Sequence, residues 1–533
     1  MTNTEAELKL RIADPACLSR LLSAPLLAQL STQPPYKELM ETTYYDTADQ
    51  RLLKSRLSYR LRLANGEWTA TVKADGTSDG GLHQRTEYNV PVDKPLPTLA
   101  HFLATAIGGR LAEAAGDLPL EPVFSTRFER HIMNVGTPDG SSIELALDNG
   151  EIIAGDKQQP LLELELELKA GRPQALIWLG AALAGEFPLL PEQESKLYRA
   201  TVLAGLAAGL GRDIPQPAPL KKASALLPAN QIFSQIMIHT IHDLVRAQQA
   251  YLTAPDDIET LHALRLELRR LNALLQLARP LLPPEEQQDM TEKVTAWDCR
   301  FSDVRDLDSL SMAWQELTGY MSRVIPEHAG KPALTALLAA KRQTVRVTFH
   351  NAVAAGELTA VLLSIWSSLA DWADQDNGHT QPLFKEFVLE HVTLWLTQFL
   401  QMGNDLDVAD LNAVHSLRIT GRRLRLVLET LSPVLPASTG ALLKRLEKLQ
   451  DILGRIQDVA LTPTLLQELV KASASRLTHR DAGLITGWQL ARSSLTCSSW
   501  RKAWPKVLKA AAKQKKLKVR PESIGNKRNP ELE

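Results

Sequence analysis

From Leu162 to Lys169 the chain reads LELELELK, which in an extended conformation puts Glu163, Glu165, Glu167 and Lys169 on one side and four leucines on the other. The same alternation opens the chain, where Glu5, Glu7, Lys9 and Arg11 alternate with Ala6, Leu8, Leu10 and Ile12. Unbroken period-two patterning predicts strands. What constrains the fold is that one face of each strand is ionic, with acids and bases together. That face lies either in bulk water or inside an enclosure.

The pattern recurs through the first 200 residues. Ser58, Arg60 and Arg62 alternate with Leu57, Tyr59, Leu61 and Leu63, and Glu67, Thr69, Thr71 and Lys73 alternate with Trp68, Ala70, Val72 and Ala74. His83, Arg85, Glu87 and Asn89 share a face. So do Arg127, Glu129 and His131, with Arg130 on the opposite side, while Glu144 and Asp148 oppose Ile143, Leu145 and Leu147. For any one strand a solvated outer face is explanation enough. As a set the charges segregate, with acids on the first, sixth and seventh segments and bases on the second, third and fourth. Closure of such a sheet makes the charged face a lumen and leaves the apolar face to pack under helices. The runs PACLSRLLSAPLLAQL, LAHFLATAIGGRLAEAAG and PQALIWLGAALAG supply that cover. Buried charges of both signs are costly unless neutralised. A phosphate chain with a divalent metal does so, because Arg and Lys take phosphate oxygens and carboxylates hold the ion.

A chain of 533 residues exceeds one core, so several domains are expected. With 60 basic and 61 acidic residues, polyanion binding has to come from local clustering, and no specific nucleic-acid partner is expected. Cys17, Cys299 and Cys497 are far apart and match no thiolate zinc spacing, which fits a reducing compartment. The charged start lacks the pattern of a signal peptide, and no apolar run reaches about 18 residues, so the expectation is a cytoplasmic protein without a membrane span. Residues 1–202 form the predicted strand-rich domain. Four prolines within 203–229 mark a linker, 230–510 are helical in period, and the basic 511–533 read as a disordered tail.

The helical part repeats itself. HALRLELRRLNALLQLARPLL begins at His262 and HSLRITGRRLRLVLETLSPVL at His415, an offset of 153 residues. That spacing indicates a duplicated helical bundle. At about 100° per residue, Leu264, Leu268, Leu271 and Leu275 make an apolar stripe, with His262, Arg265 and Arg269 on the neighbouring face. The second copy repeats the basic face with His415, Arg418 and Arg422, extended by Arg425, and Arg270 and Arg423 flank the two. One such helix reads as a solvated amphipathic element; two in register point to a site. His239 and His242 stand i, i+3 without a carboxylate pattern, and are read as core or surface residues rather than metal ligands.

These residues carry two resemblances. Glu5, Glu7 and Lys9 form the ExExK signature of the CYTH proteins, or triphosphate tunnel metalloenzymes. YYDTAD at 44–49, Arg60/Arg62, Lys73, Arg85 with Glu87, the Arg127/Arg130 region, Glu163/Glu165/Glu167 and ESKLYRA at 194–200 follow in order. Ala200 stands where that family often has glycine. The repeat, with RFSDVRDLD and LQDILGRIQD, resembles CHAD, a helical domain associated with inorganic polyphosphate. The implied fold is multidomain α+β: an eight-stranded antiparallel β tunnel with flanking helices, then an all-α duplicated bundle. By resemblance, Lys9, Arg60, Arg62, Lys73, Arg85, Arg127, Lys196 and Arg199 hold triphosphate. Glu5, Glu7, Asp148, Glu163, Glu165 and Glu167 hold Mg²⁺ or Mn²⁺, and Glu5, Glu7, Lys9, Glu163 and Glu165 are the catalytic set. His262, Arg265, Arg269, Arg270, His415, Arg418, Arg422 and Arg423 bind polyphosphate. The implied activity is hydrolysis of inorganic triphosphate, with association with polyphosphate deposits. The alternatives are an adenylate cyclase, hydrolysis of an organic triphosphate, and a non-catalytic polyphosphate binder. His83 and His131 are candidate proton shuttles, weighed against a structural role.

Overall fold

A computed structural model of the chain describes residues 4–206, 220, 222–325, 333–374, 382–471 and 476–514. Of the expected linker and tail, 207–219, 221 and 515–533 lie outside that set, as does the side chain of Cys497. Among the described residues the period-two segments form β1 (Thr4–Ile12), β2 (Tyr36–Asp46), β3 (Leu57–Ala64), β4 (Glu67–Asp79) and β5 (Leu82–Val92). They continue as β6 (Glu121–Gly136), β7 (Ser142–Ala154), β8 (Lys157–Ala170) and the short β9 (Leu189–Pro191). Their order is β5-β4-β3-β2-β6-β7-β8-β1, antiparallel throughout, and β1 returns to pair with β5. Eight strands therefore close into the expected barrel, and β9 extends β1 at Leu10 to Ile12.

The open question about facing is settled by β1. Leu8 and Leu10 are fully buried on the outer side, while Glu7 and Lys9 are 5% and 3% exposed on the inner side. The leucines sit beneath α5 (Gln174–Glu186), whose Gly180 leaves room for Leu8. Short helices α1 (Leu18–Leu22), α2 (Pro25–Leu30), α3 (Arg51–Lys54) and α4 (Gly108–Ala115) lie between the strands in sequence, and α6 (Lys196–Leu203) follows β9. Leu57, Tyr59 and Leu61 of β3 and Ala70 and Val72 of β4 pack with Phe102 and Leu111. Each large apolar side chain so covered is worth up to about 1.5–3 kcal/mol. Part of the interior is apolar too, with Met40, Tyr44, Phe124, Phe128, Ile152 and Leu161 packing together with Ala200 of α6.

The described helices of the second half are α7 (Ala229–Thr253), α8 (Ile258–Ala278), α9 (Pro284–Val324), α10 (Ala333–Ala354) and α11 (Glu357–Asp374). They continue as α12 (Phe384–Asn404), α13 (Leu411–Thr430), α14 (Thr439–Lys471) and α15 (Arg476–Ala512). The duplication is physical. Helices α8 and α13 begin at 258 and 411, the same 153-residue offset as the sequence repeat. Each starts on an aspartate cap, Asp257 or Asp410, whose carboxylate accepts first-turn backbone N–H groups. Each ends in a proline-containing 3-10 turn, Arg279–Leu281 or Ser432–Val434. No single helix among the described residues is long and apolar enough to cross a membrane.

Two compact units result. One contains Met1–Pro217 together with Ile241–Ala254 and Ala352–Asp371; the other contains Ala218–Thr240, Pro255–Asn351 and Trp372–Glu533. In the first, the β4–β5 turn lies against those helical segments. Asp79 pairs with His242 and Arg246, and Gly80 lies close under the His242 and Trp366 rings.

At Gly150 of β7, opposite Phe128, an added Cβ would stand 2.1 Å from the Arg127 carbonyl oxygen and 2.5 Å from Phe128 Cα. Backbone cannot yield as a flexible side chain does. Gly150→Ala is therefore expected to destabilise the protein by about 1–3 kcal/mol, read as a lower denaturation midpoint in calorimetry.

Candidate active site

The barrel register assembles the charges. Across β1 and β5, Glu5 faces Arg85 and Glu7 faces His83; across β1 and β8, Lys9 faces Glu165. The inner faces enclose a cavity of about 370 Å³ whose walls include Glu5, Glu7, Lys9, Arg60, Arg62 and Lys73, with Arg85, Arg130 and Lys196.

Two ionic knots cross it. In the first, Lys73 Nζ lies 2.7 Å from both Glu5 and Glu87, and Arg60 donates to Glu87 at 3.3 Å. In the second, Lys9 Nζ stands 2.6 Å from Glu165, and Arg130 donates to both oxygens of Asp148 at 2.7 Å and to Glu165 at 2.5 Å. Lys196 reaches Asp148 and Glu165 at 2.8 Å and also bonds Glu163, which Arg199 holds from behind at 3.2 Å. Asp148 and Glu163 are fully buried, and one carboxylate oxygen each from Asp148, Glu163 and Glu165 lies within 4.8 Å of the others. Helix α6 supplies Lys196 and Arg199 one turn apart, with the Ser195 hydroxyl accepting from the Tyr198 amide at its cap.

Burial and neighbours drive these groups apart in acidity. Burial pushes Glu5 up to about 8 despite Lys73. Burial alone would raise Glu7 too, but Lys9 with Lys73 holds it down at about 2. Glu165 is kept well below the usual carboxylate range because Lys196, Lys9 and Arg130 outweigh its burial, whereas burial wins at Glu163 and raises it. Lys196 is lifted to about 12, its burial overcome by Asp148, Glu163 and Glu165. Arg62 goes the other way. Burial, with Arg60 and Arg130 close by, lowers it to about 10. Among the described residues Arg62 has only a 3.4 Å bond to the Thr42 hydroxyl, and Arg85 only one to His83; neither has a carboxylate within ion-pairing distance, Glu87 acting on Arg62 from farther off. Tyr44 is lowered as well, since Arg60 and Arg62 overcome its burial.

Most of the residues expected in the tunnel are brought together, with one correction. Arg127 points outward, 61% exposed at its side chain and 3.3 Å from Glu41, and Arg130 stands in its place inside. The reason is the phase of β6, where Phe124, Phe128 and Ile132 share the inner side with Arg130. The charged Arg127–Glu129–His131 face is therefore the solvated one, and His131, bonded to Glu129, is outside. Glu167 lies at the cavity wall with Lys169, apart from the buried acids. Sequence reasoning did not single out Arg130, Glu87 or Tyr44 as site residues. The alternation of HQRTEYNV already put Glu87 beside Arg85, while Arg130 and Tyr44 needed the strand phase.

In the helical unit the two repeats bring their arginines together. Arg269 donates to Asp298 at 2.8 Å and Arg265 to the Ser302 hydroxyl at 3.0 Å. Burial and the neighbouring Arg269 and Arg305 lower Arg265 to about 9. Burial, with Arg269, Arg418, Arg265 and Arg305, lowers Arg422 to about 8. Arg305, which sequence reasoning placed only in a motif, thus joins the cluster. Arg270 is turned to Glu267, and His262, His415 and Arg423 are exposed.

Residues 3–200 match the CYTH domain model and residues 235–467 the CHAD domain model. An inorganic triphosphatase of Haemophilus influenzae is 38% identical over 162 residues, 30% of this chain and 45% of the relative, so the match spans less than half of that protein. Among solved structures, a CHAD domain from the plant Ricinus communis is 21% identical, covering 55% of this chain and 97% of that one at a TM-score of 0.42. The Hippeastrum protein HpAC1, described as having a dominant triphosphatase activity, is 20% identical, with 37% and 95% covered and a TM-score of 0.30.

The correction on β6 yields a stability contrast. Arg130→Met removes one of the two cations that Asp148 and Glu165 share, leaving them to Lys196, and is expected to cost about 3–5 kcal/mol. Arg127→Ala removes an exposed pair worth less than about 1 kcal/mol. Urea denaturation of the two variants measures the difference.

Proposed function

The chain is a CYTH domain followed by a CHAD domain, and on that premise we propose that its barrel hydrolyses inorganic triphosphate to pyrophosphate and orthophosphate. The observation that carries this reading is the mixed lumen: buried carboxylates beside cations, of which Arg62 and Arg85 have no directly paired carboxylate among the described residues. A linear triphosphate is short enough to lie in a cavity of about 370 Å³, and its oxygens suit such cations. Arg60, Arg62, Lys73, Arg85 and Arg130 bind the phosphates, with Lys9 and Lys196 beside the terminal group. Arg199 lies behind Glu163 and positions it. The reaction needs no protein nucleophile. Water adds to the terminal phosphorus, the bond to the bridging oxygen breaks, and pyrophosphate leaves, while fixed cations carry the developing charge. Glu163 or Glu165 orients that water.

The donor set fits a hard divalent ion. Carboxylate oxygens of Asp148, Glu163 and Glu165 converge, and Glu5 and Glu7 line the cavity. Mg²⁺ or Mn²⁺ held by these acids, with Glu167 at the wall, would neutralise phosphate charge and acidify a bound water.

The helical unit binds inorganic polyphosphate on the Arg265, Arg269, Arg418 and Arg422 cluster. Arginines that depress one another's proton affinity are relieved by a polyanion. Such charge-driven binding weakens as salt rises. Association with polyphosphate deposits follows from that affinity.

Purified protein given Mg²⁺ or Mn²⁺ and offered tripolyphosphate, ATP, thiamine triphosphate and long-chain polyphosphate tests the proposal. Orthophosphate released mainly from tripolyphosphate supports it. Cyclic AMP with pyrophosphate from ATP would replace it with a cyclase, and retention of polyphosphate without turnover would replace it with a binding protein. Glu5→Gln with Glu7→Gln is expected to abolish hydrolysis while polyphosphate is still retained. Because Glu5 keeps its proton up to about pH 8, metal loading displaces that proton. Apparent metal affinity should therefore rise with pH through about 8, with proton release measurable by calorimetry in buffers of different ionisation heat. Arg418→Gln with Arg422→Gln is expected to weaken polyphosphate binding by about tenfold or more, roughly 1.4 kcal/mol, and to flatten its salt dependence.

A further inference from the structure

His83 is a completely buried histidine on β5, two residues before Arg85 and behind the tunnel lining, and hydrolysis leaves it without a part. Its ring nitrogens have different partners. Nε2 lies 2.9 Å from the Glu192 carbonyl oxygen, and Nδ1 lies 3.0 Å from an Arg85 guanidinium nitrogen. A carbonyl only accepts and a guanidinium only donates. Both contacts are satisfied by one species, the neutral ring with its hydrogen on Nε2. Burial, with Lys9 and Arg85 nearby, lowers its pKa to about 3, in keeping with that form. A ring held neutral between these partners is a poor proton shuttle.

We propose that His83 is a positioning residue that aims the Arg85 guanidinium into the tunnel and ties its strand to the segment entering helix α6. Two further hydrogen bonds and one close approach support it. The Ser78 hydroxyl donates to the Gln193 carbonyl at 3.0 Å, and the Glu192 amide donates to the Lys9 carbonyl at 2.9 Å, so residues 192–193 are pinned to β1 and β4 beside the histidine. Behind Arg85 stands Gly76, where a Cβ would come 3.1 Å from Nε and 3.2 Å from Cγ. The arginine lies along bare backbone on one side and is hydrogen-bonded by the imidazole at its tip.

The choice of histidine has a physical reason. A carboxylate in its place would orient Arg85 equally well but would also neutralise it. A neutral acceptor fixes direction and leaves the full positive charge for an incoming anion. Ordering a guanidinium beforehand removes an entropic cost from binding.

The inference rests on the reading that the tunnel binds triphosphate through Arg85, and the experiment separates the two. In the full-length chain, His83→Asn can keep an acceptor near the Nδ1 position and loses the donor to Glu192. His83→Gln can keep a donor near Nε2 and loses the acceptor for Arg85. The KM for tripolyphosphate should rise on the order of tenfold in His83→Gln, with a smaller change in kcat, and His83→Asn should recover most of it. In an Arg85→Lys background, His83→Gln should add nothing. Gly76→Ala, which crowds Arg85 without touching His83, should raise KM likewise and also fall silent in that background. Equal kinetics for the Asn and Gln variants, or an undiminished His83→Gln effect beside Arg85→Lys, overturns the positioning role. A wild-type chain that neither binds nor hydrolyses tripolyphosphate, or a silent Arg85→Lys, overturns the reading of the tunnel instead.

Discussion

An ammonium and a carboxylate can leave water together only if each finds close partners, and strand β1 takes both signs inside at once. Everything in the barrel answers to that condition. Lys9 beside Glu165, Lys73 between Glu5 and Glu87, and Lys196 among three acids are exchanges of solvation for fixed neighbours. Desolvation of this kind often exceeds the Coulombic gain, so such a lumen is a poor way to stabilise a fold. The outer leucines, buried under helices, carry the stability, and the ionic interior is kept for what it can hold.

The helical unit meets the same physics from the other side. Its basic cluster sets arginines beside one another, and Arg422 is left with a depressed proton affinity among like neighbours. The duplication brings this about cheaply. Two copies of one capped helix, each with arginines at the same spacing, need only pack beside each other to concentrate charge that neither copy has alone. One half thus balances opposite charges and the other gathers like ones.

Much of this was legible because period two fixes facing. Once closure was assumed, Glu5, Glu7, Lys9, Arg60, Arg62, Lys73 and Arg85 followed from alternation alone, and the 153-residue repeat located both capped helices. Strand β6 was the exception, since it has charges on both faces and Arg127 and Arg130 compete for the inside. What decides is the ring pair Phe124 and Phe128, which fills the apolar part of the interior next to α6. The place of Ile241–Ala254 and Ala352–Asp371 in the barrel's unit was also hidden, because an apolar helical stripe states that it is covered and not by what. His83 could be read as buried or as a shuttle; only its two opposite partners decide.

The pairing of β1 has a consequence for how the molecule is made. This strand leaves the ribosome well before its partners, since Glu7 is registered against Glu167, and Leu10 against Pro191. At about 5–20 residues per second, its last neighbours arrive on the order of ten seconds later. During that wait the alternating charges that later line the lumen act as gatekeepers, discouraging an unpaired apolar edge from adding to another nascent chain.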